Sequence, residues 1–207
     1  MKKLVVSLLV LTLILSAFSM TVFAAAGIEG TWATPYFITC MKVGAMRTNE
    51  VQAYSNDFTN ASVSHSEFTE ALRQTAANSK YTFITNNKSS ITRYEAIEII
   101  SSYLTSTYAA DPTLQGRQKY MTIAEMYKVA NHQKIDINYV YDFTVVYTCG
   151  IFNSGSCDGT RTLTQGELAA ICVRLMEYEK MQTENNIDAL DMFYNQRCTC
   201  ILSGEHD

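Results

Sequence analysis

Three stretches of the chain set a hydroxyl residue three positions ahead of a glutamate: Ser64-His65-Ser66-Glu67, Thr92-Arg93-Tyr94-Glu95 and Thr164-Gln165-Gly166-Glu167. The chemistry of that spacing is helix capping. The hydroxyl accepts from a first-turn N–H, while the glutamate reaches back to the capping residue and sits at the positive end of the helix dipole. The residue just inside each box has freedom to do more. Arg93 offers a guanidinium fork beside unpaired backbone N–H groups, a receptor for a carboxylate; the alternative is a solvated charge on a helix end. His65 holds the equivalent position, either as a pH-sensitive substitute for arginine or as an exposed surface histidine. Gln165 holds the third.

Other residues with chemical capacity are scattered. Trp32 is the single tryptophan, and its two roles are core packing of a helix and stacking on a sugar ring. The 13 tyrosines mostly sit at helical spacing with other apolar residues, which favours packing. Cys198, Cys200 and His206 supply three metal ligands at a spacing unlike a closed zinc site, so a disulfide or an unstructured tail is the better reading. A Cys149–His132 nucleophile pair has no local support. The sequence lacks H-E-x-x-H, G-x-S-x-G, P-loop and dinucleotide signatures, and no enzyme, metal or cofactor is expected.

The elements that must position these residues are helices. After Glu67, Glu95 and Glu167 come Phe68, Ala96 and Leu168; then Ala71, Ile99 and Ile171; then Leu72, Ile100 and Cys172. This i, i+3, i+4 spacing draws one apolar stripe down each helix and makes Cys172 a core residue. Val63, Ile91 and Leu163 precede the caps where a hydrophobic staple belongs. Upstream of the first and third boxes, an aromatic-apolar run ends in Gly44 or Gly150, a left-handed helix stop, and a polar loop leads on to the box. The second box has no convincing helix ahead of it. A fourth box, Thr122 to Glu125, opens an extra helix in the long interval before the third. The expected fold is therefore mainly α, three helix–turn–loop–helix repeats over about 28–76, 80–105 and 135–178.

The chain has 207 residues, 47% apolar, with a formal net charge of −4. One core of respectable size fits that length, and the mild acidity excludes the basic face of a nucleic-acid binder. Lys2 and Lys3, the apolar run Leu4 to Phe18 and Ala24-Ala25-Ala26 form a secretory signal over residues 1–26. The run is short for a membrane span of about 20 residues, and a retained anchor is the alternative. Export permits disulfides among Cys40, Cys149, Cys157, Cys172, Cys198 and Cys200. Cys149 with Cys157 would close a short loop and Cys40 would reach the C-terminal pair, but the connectivity stays open. A repeat domain over 27–180 is then followed by a tail, 181–207, with a short helix in "NIDALDMFYNQ".

The repeat resembles the S-layer homology (SLH) module of bacterial envelope proteins. "TWATPYF" is similar to that family's aromatic helix start, "CGIFNSG" to its turn, "CDGTRTLTQGE" to its loop and cap, and "ITRYEA" to its I-T-R-x-E element. The resemblance covers about residues 28–177. It implies a pseudo-threefold helical bundle and non-covalent attachment to cell-wall polysaccharide, including pyruvylated polymers, at a bacterial cell surface. It also implies that Arg93, with Trp32 nearby, belongs to an anionic ligand site. The chain departs from the pattern where His65 and Gln165 replace arginine, where no proline follows Asp158 to Thr160, and where the second copy lacks its first helix. The alternative is a secreted interaction or structural module that kept the scaffold, lost the sugar site and binds an envelope protein.

Overall fold

A computed structural model describes residues 30–110, 122–152 and 158–184. Within them the chain is mainly helical. The order is α1 (Thr34–Val43), α2 (Glu50–Ala53), α3 (Asn56–Asn60), α4 (His65–Thr75), α5 (Arg93–Tyr108), α6 (Ile123–His132), a 3-10 turn (Ile137–Tyr139), α7 (Val140–Thr148) and α8 (Gln165–Thr183). The signal segment, the tail helix, Cys157, Cys198, Cys200 and His206 lie outside the described residues.

Local chemistry accounts for most boundaries. Ser64, Thr92, Thr122 and Thr164 each accept from the N–H three residues on, and Glu67, Glu95, Glu125 and Glu167 return the bond. The two glycine stops behave as the sequence predicts. Gly44 has φ 73° and Gly150 φ 78°, and Ala45 and Ile151 donate back across the turn to Cys40 and Val146 at 2.9 and 3.0 Å. The polar loop after Gly44 departs from expectation, since it winds into α2 and α3. Asn49 caps α2 in a box closed by Gln52, and Ser55 caps α3; each short helix has a side chain to satisfy its first donors. The second box does lack a preceding helix. Aromatic packing takes that helix's place: Tyr81 and Phe83 set their rings 5.0 and 5.3 Å from that of Tyr103 on α5.

The core is built on α8. Helices α1, α3 and α4 pack against it, while α5 packs on α7 and α6 on α7. Phe37, Phe68, Leu72, Ile100, Phe143, Leu175 and Tyr178 are all withdrawn from solvent, and truncating one large core side chain costs about 3–5 kcal/mol. Cys172 is in this core, as its stripe position requires. Cys40 lies fully buried beside it; the neighbouring Cys172 thiol and burial together push the Cys40 thiol well above the ordinary cysteine range. Helix α8 runs on to Thr183, across the boundary expected near residue 180.

Glu179, on the last turns of α8, is 4% exposed. It accepts from Ala77 N at 3.1 Å, from the Tyr103 hydroxyl and from the Tyr108 hydroxyl at 3.2 Å. One carboxylate thus ties the end of α4 and two tyrosines of α5 to α8. Burial raises its pKa above the usual carboxylate range, with the three donors working the other way.

Candidate functional site

The three capped helices begin side by side. Val63 N donates to Leu163 O at 3.0 Å, Leu163 N to Ile91 O at 2.8 Å, and Ile91 N to Val63 O at 2.9 Å. These staple residues are all 0% exposed, so their apolar side chains go inward while their peptides close a three-membered ring of hydrogen bonds. The next N–H groups continue the pattern. Gln165 N donates to Ala61 O, Arg93 N to Arg161 O and His65 N to Lys88 O, at 2.9, 3.0 and 3.3 Å. Each is a first-turn donor with no partner inside its own helix, and a neighbouring loop supplies one.

The residues inside the boxes serve this junction. Arg93 donates through Nε to Glu167 Oε1 at 3.1 Å and through Nη2 to the same oxygen. Arg161 Nη2 reaches that oxygen too, at 2.5 Å. Arg93 and Glu167 side chains are each 17% exposed, so the pair is half-sheltered. Gln165 Nε2 points to Glu67 Oε1 at 3.4 Å. At the third junction Lys88 Nζ binds Glu95. That contact and the Thr92 cap hold the Glu95 carboxyl below its usual range, although burial opposes them. Glu67, Glu95 and Glu167 therefore each close their own helix and take a donor from outside it.

The side chains singled out in the sequence fall differently from expectation. Arg93, read as a solvated charge or a ligand receptor, is largely sheltered rather than solvated, and its guanidinium is held by a carboxylate that is 74 residues away in sequence. His65, read as exposed or as a ligand group, is 5% exposed, and its Nδ1 accepts from Asn86 N at 3.3 Å. The cause is the segment leading to the second box, which folds over it. Trp32, read first as a core residue, is 57% exposed. Its ring edge lies against Gly166, where an added Cβ would come 3.0 Å from Trp32 Cζ2 and 2.8 Å from Thr59 Cγ2. Glycine at that position lets the ring approach α8. Trp32 also meets Tyr36 edge-on with centroids 6.3 Å apart, and the Arg174 guanidinium lies 5.7 Å above Tyr36. Trp32 and Arg93 thus bear on adjacent residues of one helix turn.

The Asp-Gly-Thr loop has a positional role. Asp158 accepts from the Thr160 hydroxyl at 2.7 Å, and Tyr94 N donates to Gly159 O at 2.9 Å. A Cβ on Gly159 would lie 2.0 Å from the Tyr94 ring. That ring stacks on Tyr139 at 3.9 Å, and its hydroxyl accepts from Asp136 N at 2.8 Å. The loop therefore seats the start of α5 against the 3-10 turn.

An open groove of about 670 Å³ lies between the α1–α2 turn, the outer face of α4 and the first turn of α8. Phe58 and Leu168 contribute apolar surface; Arg47, Gln52, Glu67, Glu70, Gln74 and Gln165 contribute polar groups. The Gln74 amide, and Arg73 and Arg47 nearby, hold the Glu70 carboxyl below its usual range. Apart from Gln52, Glu67 and Gln165, none of these polar residues belongs to a capping box. These polar residues come from the α1–α2 turn, α2, α4 and α8, so no local spacing announces the groove. Among the described residues no group of three His, Cys, Asp or Glu could hold a metal ion, and no helix is long and apolar enough to cross a membrane. Compared with family models, curated proteins and solved structures, the chain matches none.

Proposed function

We propose that the chain is an exported, non-catalytic bacterial envelope protein on a degenerate SLH-like scaffold, with three repeats in a pseudo-threefold bundle, and that it associates with cell-wall polysaccharide. The observation that carries this reading is the hydrogen-bonded ring of Val63, Ile91 and Leu163. It joins three like helix starts head to head, the arrangement that repeated modules around a common axis require. Capping boxes scattered through an unrelated helical protein have no reason to meet. The signal segment read in residues 1–26 supplies export, and the groove beside the starts of α4 and α8 supplies concave polar surface at the protein's exterior.

The scaffold reading places Arg93 in the junction rather than in open solvent. An anionic sugar approaching it competes with Glu167 for the guanidinium, so a single arginine site of the family kind is weakened in this chain. Retention on walls then depends on surface beyond Arg93. The alternative, an interaction module bound to an envelope protein, draws support from the exposed Trp32, since aromatic side chains commonly anchor protein contacts.

The test is co-sedimentation of the mature protein with purified walls, before and after chemical removal of secondary wall polymers. Binding that disappears with the polymers supports the proposal. Binding that survives their removal favours a protein partner, and failure to sediment with untreated walls refutes the proposal.

A further inference from the structure

Helix α1 lies against α8, and each contributes one cysteine to the contact. Cys40 and Cys172 are both 0% exposed, and both are free thiols in this structure. The Cys40 thiol donates to Ala169 O at 3.5 Å, three residues ahead of Cys172 on α8. The two thiols also lie within hydrogen-bonding reach of one another. Cys149 belongs to a different contact, since it follows α7, which packs on α5 and α6.

A single buried cysteine is a small apolar core residue. Two that meet across separate helices can do more, because bridging them without moving the backbone needs sulfurs that are already neighbours. The bond would close a loop that takes in α2 to α7, and long loops are where a cross-link removes most freedom from the unfolded chain. The same two helices meet again nearer their starts, where Trp32 lies against Gly166, so a bond at Cys40 and Cys172 pins the pair at a second level.

We propose that Cys40 and Cys172 form a disulfide that staples α1 to α8 in an oxidising compartment. The proposal rests on the export half of the proposed function, since a cytosolic thiol pool keeps such pairs reduced; it does not depend on the polysaccharide. The oxidant is a second disulfide, carried by an oxidoreductase or a small thiol compound. One cysteine thiolate attacks a sulfur of that disulfide and expels the other sulfur. The second cysteine thiolate then attacks the first cysteine's sulfur and expels the oxidant's remaining sulfur. One S–S bond forms, one breaks, and the two cysteine protons pass to the two thiols released. Because both cysteines are sealed in the core, the oxidant meets them before α1 docks on α8.

The experiment refolds the reduced mature protein in a mixture of oxidised and reduced glutathione, quenches it with acid, alkylates the remaining thiols and maps tryptic peptides without reduction. Cleavage after Lys42, Arg161, Arg174 and Arg197 separates Cys40 and Cys172 from each other and from the remaining four cysteines. The expected result is one linked pair, the peptide ending at Lys42 joined to Thr162–Arg174, which separates on reduction. The oxidised protein unfolds at a urea midpoint about 1–2 M above the reduced one, and Cys40→Ala and Cys172→Ala each narrow that gap by the same amount. Alkylated Cys40 and Cys172, either one linked to a different cysteine, or a gap unchanged in both variants overturns the proposal. If an alanine variant fails to fold, the peptide map decides, since it is made on the unsubstituted chain. Wall co-sedimentation of the oxidised protein separates the two claims. Polymer-dependent sedimentation without the linked pair overturns the disulfide alone, and a linked pair in a protein that sediments with no wall overturns the proposed function alone.

Discussion

Replacing Arg93 by alanine distinguishes a clasp between helices from a ligand receptor. The substitution removes two hydrogen bonds to Glu167 Oε1 and leaves that carboxylate with Arg161 at 2.5 Å and its own cap. An exposed ion pair contributes about 0–1 kcal/mol, which is too little for side chains that are each 17% exposed. Breaking a fully buried pair costs about 3–5 kcal/mol, which is too much while Arg161 still compensates the charge. A loss of about 1–2 kcal/mol follows, in line with a charge-assisted bond. For a chain of this size that is a fall of about 2–8 °C in Tm. Urea unfolding of the mature protein, followed by circular dichroism, measures the loss with the slope unchanged. Arg93→Lys keeps the charge and loses the fork, so it falls between wild type and alanine. Glu167→Gln retains a capping oxygen, and the double-mutant cycle with Arg93→Ala gives a coupling of about 1 kcal/mol. If Arg93→Ala leaves stability within about 0.3 kcal/mol of wild type while wall binding collapses, the clasp is wrong and Arg93 is a ligand group.

Two further perturbations test the packing that surrounds the site. Glu179 has a raised carboxyl pKa, so its protonated form is favoured by folding; its contribution is fully present below the unfolded value and is lost as pH rises through the folded one. Glu179→Gln therefore flattens the fall of stability as pH rises above the ordinary glutamate value of about 4.3, read as urea midpoints across a pH series, and an unchanged profile rejects the assignment. Gly166→Ala forces Trp32, Ala33 and Thr59 apart, since the new Cβ would lie within 2.8–3.0 Å of each. The cost is about 1–3 kcal/mol from overpacking. Because Trp32 is the single tryptophan, the displacement is read directly as a change in fluorescence emission, and identical spectra and stability would refute the contact.

Much of this protein is decided within a few residues. Ser64, Thr92, Thr122 and Thr164 start helices because the hydroxyl, the glutamate and the orphan N–H groups all lie within one turn, whatever the rest of the chain does. Gly44 and Gly150 stop helices because the left-handed conformation favours glycine at the point of reversal. The stripe from Phe68 to Leu72, and its counterparts, follows from helical geometry alone, and that places Cys172 in the core. None of this spacing could place Tyr103 and Tyr108 beside Glu179, or fold the Asn86 segment over His65, because those partners lie on other elements. The same holds for Arg93. Its local sequence offers a guanidinium at a helix start, and only the meeting of three helix starts hands that guanidinium to Glu167. Capping is set by bonds that span three residues; the ring, the clasp and the groove exist because separate segments must share one core, and that competition is settled in three dimensions.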